Sequence, residues 1–139
     1  MIQLEQINLD NVVAELATLF ASYEAALMQN DLATLDKLFW QNQLTVRYGT
    51  TENLYGIEAI RAFRQARNTG TLQRVLRHAQ ITTFGADCAT TTTEFVREDG
   101  MSGRQSQTWV RFPEGWRVVS AHISLNEHGS AIAASGISK

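Results

Sequence analysis

Between Val12 and Leu27 the apolar side chains Val12, Leu16, Leu19, Phe20, Tyr23 and Leu27 recur three or four positions apart, the spacing that gathers side chains onto one stripe of an α-helix. It predicts an amphipathic helix with Tyr23 on the buried stripe and Asp10 or Asn11 capping the first N–H groups. A short second helix follows in QNDLATLDKLFW, capped by Asn30 or Asp31 and burying Leu32, Leu35, Leu38 and Phe39. After Gly56, IEAIRAFRQAR returns to helical spacing through Ile57, Ile60 and Phe63, and its closing arginines suit the negative end of a helix dipole.

The stretch LTVRYGTTENLYG, Leu44 to Gly56, begins as a strand, with Leu44, Val46 and Tyr48 on one face and Thr45, Arg47 and Gly49 on the other. Facing solvent, Arg47 is an ordinary surface residue; lining a cavity, it is a fixed positive charge that attracts an anion. Glu52 and Asn53 fall in the loop before the third helix, with turn and capping roles and a substrate contact as the alternative. Beyond it everything reads as β. RVLRHAQITTF, CATTTTEFVR, RQSQTWVRF and WRVVSAHISL are rich in Thr, Val, Ile and aromatics, and GAD, EDGMSG and PEG between them are hairpin-sized turns.

Three N-terminal helices followed by an antiparallel meander describe an α+β domain whose curved sheet closes around the first helix. This order looks like the NTF2-like (cystatin-like) cone, in which the concave sheet face and the long helix enclose a pocket. With 139 residues, 44% of them hydrophobic, the chain has the make-up of a single domain spanning 1–139. Its core runs from about 12 to 125, and the tail 126–139 carries no pattern.

Charge narrows the partners. A net charge of −2 and a pI near 5.9 argue against a nucleic-acid binder, because phosphate-backbone affinity needs clustered cations. Locally the balance differs. From Arg61 to Ala86 there are five arginines (Arg61, Arg64, Arg67, Arg74, Arg77) and no acid. This run reads as a solvated or subunit-facing surface, with attraction of small anions as the alternative. Cys88 stands alone, so no internal disulfide is available and a structural role is expected. The histidines His78, His122 and His128 have no acids around them at ligand spacing, so no metal is expected. Neither a signal-peptide pattern nor a stretch of ~18 to 20 apolar residues is found, which points to a cytoplasmic protein with no membrane partner.

The motifs SYEAAL, DKLFW, TVRYGTTENLYG, AFRQAR, GRQSQTWVR and EGWRVVSAHISL, in this order from about Val12 to Leu125, together resemble the AtzH-like family of NTF2-like proteins. The resemblance implies an enzyme of nitrogen-compound catabolism that carries out decarboxylating hydrolysis of a carboxylated urea, 1,3-dicarboxyurea to allophanate, in cyanuric acid or oxalurate breakdown. It implies a tyrosine on the first helix and an arginine on the first strand as the functional pair, which fall on Tyr23 in SYEAAL and Arg47 in TVRYG. A cofactor is not implied. The alternative is a non-catalytic accessory protein that binds a carboxylated intermediate for an amidase pathway. NTF2-like isomerases and dehydratases work through an inward Asp or a His–Asp pair, whereas Asp31, Asp36, Asp87 and Asp99 fall at caps, exposed helix positions or turns.

The residue types suit the implied chemistry. Arg47 can clamp a carboxylate through two parallel hydrogen bonds. Tyr23 can deliver the proton that nitrogen needs as CO₂ departs; phenols are poor acids near neutral pH unless a neighbouring cation favours the phenolate. Further candidates for substrate binding are Trp40, walling the pocket or the core, with Arg104, Ser106 and His122. His122 shares a strand face with Trp116, Val118, Ser120 and Ser124 by strict alternation and is either a hydrogen-bonded core histidine or a proton shuttle. Either Ser106 and Thr108 or Gln105, Gln107 and Trp109 line the cone. Val, Thr and Trp on both strand faces predict a homodimer through the outer face of the sheet.

Overall fold

The computed structural model describes residues 1–67 and 73–126; the tail beyond Asn126 and the NTG segment lie outside them. After a short 3₁₀ turn (Leu4–Gln6) come α1 (Asp10–Gln29), α2 (Leu32–Leu38), β1 (Val46–Tyr48), β2 (Asn53–Tyr55) and α3 (Ile57–Ala66). Four long strands follow: β3 (Arg74–Phe84), β4 (Cys88–Arg97), β5 (Ser102–Phe112) and β6 (Gly115–Leu125). All six strands form one sheet in the order β2-β1-β6-β5-β4-β3. The meander is antiparallel, β1 joins β6 in parallel, and β2 folds back on β1. The fold is therefore the expected α+β cone.

Two local expectations change. α1 is capped by neither Asp10 nor Asn11: Asp10 is already helical, Leu9 occupies the cap position, and no side chain caps the end. The Asp10 carboxylate instead lies in the first turn, where the helix dipole favours it. The segment read as a loop at Asn53 is a strand, too short to show a period of its own. Asp31 does cap α2, accepting from the Thr34 amide at 3.2 Å and its hydroxyl at 2.7 Å, and these bonds hold its carboxyl below the ordinary value.

One face of the sheet packs under α1. Val12, Leu16, Tyr23, Ala26 and Leu27 meet Ala89, Trp109, Trp116, Val118 and Ala121, with Leu35, Phe39, Ile57 and Ile60 of the other helical segments. Burial alternates along β4 (Ala89, Thr91, Thr93, Phe95) and β5 (Gly103, Gln105, Gln107, Trp109), so the Gln and Trp set is the inward one. In β6 the alternation breaks. Thr108 pairs with Ser120 but Trp109 pairs with Val118, so Val119 is an extra residue, and a bulge of this kind reverses which side chains face inward. Trp116 and Val118 point in before it, and Ala121 and Ile123 after it. The inner face is polar at depth: the Trp109 indole N–H donates to Thr91 Oγ1 at 3.1 Å, and that hydroxyl donates to Gln107 Oε1 at 3.0 Å.

Candidate active site

The first strand is inverted relative to simple amphipathic expectation. Arg47 in it and Thr45 just before it are buried, and the apolar Leu44 ahead of them is 69% exposed. Arg47, 6% exposed, therefore lines the cone. With Tyr23 and Leu27 of α1, Arg67 after α3, Arg74 of β3, Arg97 of β4, Gln105 of β5 and Ile123 of β6, it encloses a cavity of about 50 Å³. That is room for a carboxylate-sized group. Arg74 and Arg97 also line a groove of about 340 Å³ with Gln73, Val75, Arg77, Val96 and Glu98.

Two carboxylates pair with this cationic group. Arg47 Nη1 donates to Glu52 Oε2 at 2.8 Å, and Glu52 also accepts from the Thr51 amide and hydroxyl. A side chain at Gly49 would coincide with the Glu52 carboxylate, so the bare glycine is what lets that carboxylate reach Arg47. Burial raises the Glu52 carboxyl, but the Arg47 and Thr51 bonds outweigh it and hold the group below its ordinary value. Arg74 makes a two-pronged contact with Glu24, 2.8 and 2.7 Å, and adds Gln105 Oε1 at 2.9 Å.

Among the described residues the other guanidiniums around the cavity have no carboxylate partner. Arg64, 3% exposed, has no hydrogen-bond partner among the described residues on any of its three nitrogens, and two nitrogens of Arg67 and Nε of Arg47 are likewise buried and unpartnered. Burial pushes Arg64 down to about 10, opposed by nearby Tyr23 and aided by repulsion from Arg47 and Arg67; burial and then Arg47 lower Arg67 too. Arg64 stays cationic at neutral pH. Partial support comes from rings: Arg64 Cζ lies 4.3 Å from the Phe39 centroid, Arg47 and Arg67 lie 5.2 and 5.8 Å from that of Phe63, and Arg74 and Arg97 flank Phe95. Cation–π contacts do not replace the hydration lost by several like charges, so the arrangement favours an anionic ligand. It also disfavours a divalent cation, and among the described residues no three His, Cys, Asp or Glu side chains converge as ligands.

Tyr23 and Arg47 thus meet in one cavity, and the other candidates do not join them. Arg104, Ser106 and His122 are exposed on the outer face, where Ser106 pairs with His122 and Arg104 with Ser124. For His122 the cause is the bulge at Val119, which turns it outward beside Tyr48, ring centroids 5.6 Å apart. For Arg104 and Ser106 it is strand parity. Trp40 stacks on Phe112 at 5.1 Å, away from the cavity lining. Conversely, the arginine run read as surface sends Arg64, Arg67 and Arg74 inward, while Arg61 bridges Asp36 and Arg77 is exposed. Glu52, read as a turn residue with a substrate contact as the alternative, reaches the site through Arg47, and Glu24 and Gln105 complete it.

Comparison with known proteins agrees with this architecture. A family model described as AtzH-like matches residues 5–129. The chain is similar to a DUF3225-family protein from Pectobacterium atrosepticum SCRI1043 (52% identity, TM-score 0.89, 91% of this chain and 100% of that one). It is also similar to a cystatin-like fold protein from Burkholderia xenovorans LB400 (43% identity, TM-score 0.82, 86% and 95%). An NTF2-like superfamily protein from Salmonella enterica serovar Typhimurium LT2 shares the fold at 23% identity, TM-score 0.68, over 83% and 91% of the two chains. No curated protein matches the chain.

Proposed function

Because the chain belongs to the AtzH-like family of NTF2-like proteins, we propose that it is a cofactor-free enzyme of nitrogen-compound catabolism that removes CO₂ from a carboxylated urea of the 1,3-dicarboxyurea type, leaving allophanate. The observation that carries the reading is the convergence of Tyr23 and Arg47 on a buried cavity whose guanidiniums exceed its carboxylates. Arg47 and Arg67 receive the retained carboxylate. This fixes the urea and leaves the scissile N-carboxylate towards Tyr23. As the C–N bond breaks, its electron pair stays on nitrogen, CO₂ leaves, and the Tyr23 hydroxyl donates a proton to that nitrogen. Substrate dianion plus one proton gives allophanate monoanion plus CO₂, and water later restores the phenol.

The test is consumption of 1,3-dicarboxyurea, beside oxalurate and allophanate, by wild type, Tyr23→Phe and Arg47→Lys. Tyr23→Phe is expected to lose about 10²-fold or more in kcat with little change in KM, since it removes only the transferable proton. Binding without turnover by the wild type would make the chain an accessory protein for an amidase pathway. Equal activity in all three proteins would remove Tyr23 and Arg47 from the site.

The same reading includes a cytoplasmic homodimer formed through the outer face of the sheet. Leu44, Tyr55 and Val75 are 69, 61 and 67% exposed and favour it, although the centre of that face carries Glu94, Arg104, Ser106 and His122, all exposed, and is more polar than the sequence pattern suggested. A monomer in sedimentation at micromolar concentration would end this part of the reading. Among the described residues no helix is long and apolar enough to cross a membrane.

A further inference from the structure

Arg64 is the least accounted-for charge in the molecule. It leaves α3 on the same stripe as Ile57 and Ile60, both core residues, a position where a hydrophobe would ordinarily stand. Its guanidinium lies over the Phe39 ring, whose centroid is 6.3 Å from that of Tyr23, and Tyr23 is the neighbour that most favours its charged form. Arg64 does not line the anion cavity; it lies behind it, lining a groove between α2 and α3 with Asp36 and Arg61. The Asp36 carboxylate there is taken by Arg61, at 3.1 and 3.4 Å. A purely structural arginine at this depth would have a carboxylate or carbonyl partner. Arg64 has neither.

We propose that Arg64 is a positioning residue for Tyr23, directing the phenol hydroxyl into the cavity and holding the negative charge left on its oxygen after proton donation. This rests on Tyr23 being the proton donor of the reading above. In the resting protein the Arg64 guanidinium makes no hydrogen bond to the neutral phenol; its charge repels the hydroxyl hydrogen towards the cavity and leaves the guanidinium free to receive the phenolate. When the C–N electron pair collapses onto nitrogen and takes that hydrogen, the phenolate forms directly against an unpaired cation. Charge moves from the substrate dianion to an oxygen already faced by a preorganised guanidinium, so little rearrangement is needed during the reaction. A carboxylate partner for Arg64 would cancel that effect. The arginines then divide by task, with Arg47 and Arg67 on the substrate anion and Arg64 on the proton donor.

The experiment uses Arg64→Met, Arg64→Lys, Arg67→Met, Tyr23→Phe and the Arg64→Met/Tyr23→Phe double variant, with steady-state kinetics and thermal midpoints. Arg64→Met is expected to lower kcat at least about tenfold with KM within about threefold, because the interaction it removes is made in the transition state. Arg64→Lys should recover part of kcat, and Arg67→Met should act mainly on KM. The Arg64→Met midpoint should equal or exceed that of the wild type, since an unpartnered buried charge is replaced by an apolar side chain of similar length. The midpoint shifts of Arg64→Met and Tyr23→Phe should fail to add in the double variant. A lowered Arg64→Met midpoint with kcat retained would make Arg64 a structural cation on Phe39, and a rise in KM alone would make it a direct substrate ligand; either overturns the proposal. If the wild type consumes no carboxylated urea, the reaction assignment fails by itself. The midpoints still decide the pairing, and additive shifts would overturn it.

Discussion

Two arginine–glutamate pairs meet at the same cavity and are built to opposite ends. Arg74 and Glu24, whose side chains are 5 and 11% exposed, join through two short contacts, and Arg74 takes Gln105 as well while its guanidinium covers Phe95. Arg47 and Glu52 share one contact of 2.8 Å, Arg47 Nε is left buried without a partner, and Glu52 divides its acceptors between Arg47 and Thr51. A guanidinium with its fork already engaged has little left to offer a ligand. An open fork at equal depth has stability still to gain from an incoming carboxylate. Arg74 therefore belongs to the wall of the site and Arg47 to its receptor.

The largest expected effect separates the pairs by stability. Arg74→Met strands the Glu24 carboxylate in the interior and should cost about 3–5 kcal/mol in urea unfolding. Arg47→Met leaves Glu52 with its Thr51 bonds and partial solvent access and should cost less than about 2 kcal/mol. Activity should rank the other way at temperatures where both are folded, with Arg47→Met losing about 10- to 100-fold of kcat/KM. Equal stability losses would break the distinction. A smaller effect sharpens it: Arg47→Lys keeps the charge but not the fork, so kcat/KM should fall about tenfold, whereas Arg74→Lys should register as about 1–3 kcal/mol of lost stability.

Much of this arrangement is legible in the amino-acid sequence, and what is not has a physical cause. Tyr23 is legible because helical spacing places it on the buried stripe, and Glu24, its neighbour, reaches the same side. Arg64 carries a comparable signal at Ile57–Ile60–Arg64 spacing, obscured because arginines near a helix C-terminus already have a dipole explanation. Arg74 and Arg97 become neighbours only when β3 and β4 pair, a long-range register that local pattern does not contain. The Val119 bulge shows the converse. One added residue sends His122 to the outer face after a run of correct alternation. The choice between Gln105 and Ser106 needed the sheet itself, because both are polar and the inner face accepts polar side chains where the cavity lies.

The smallest expected effect tests the weaker pair through pH. Glu52 is held below its ordinary value of 4.5, with the Arg47 and Thr51 bonds outweighing burial. A carboxyl depressed in the folded state contributes stability that is fully present above its unfolded value. That contribution is lost as pH falls through the lower folded value, where both states become protonated. Urea midpoints measured from about pH 5 down to about pH 3 should therefore fall less steeply in Glu52→Gln than in wild type. Gly49→Ala should show the same flattening without touching a charge, because the added methyl occupies the place of the Glu52 carboxylate. Asp31, held by Thr34 far from the cavity, keeps its own share of the acid slope in every variant and serves as the internal control. A full wild-type slope in both variants would mean that Arg47 does not hold Glu52 in solution and that its fork is more open still.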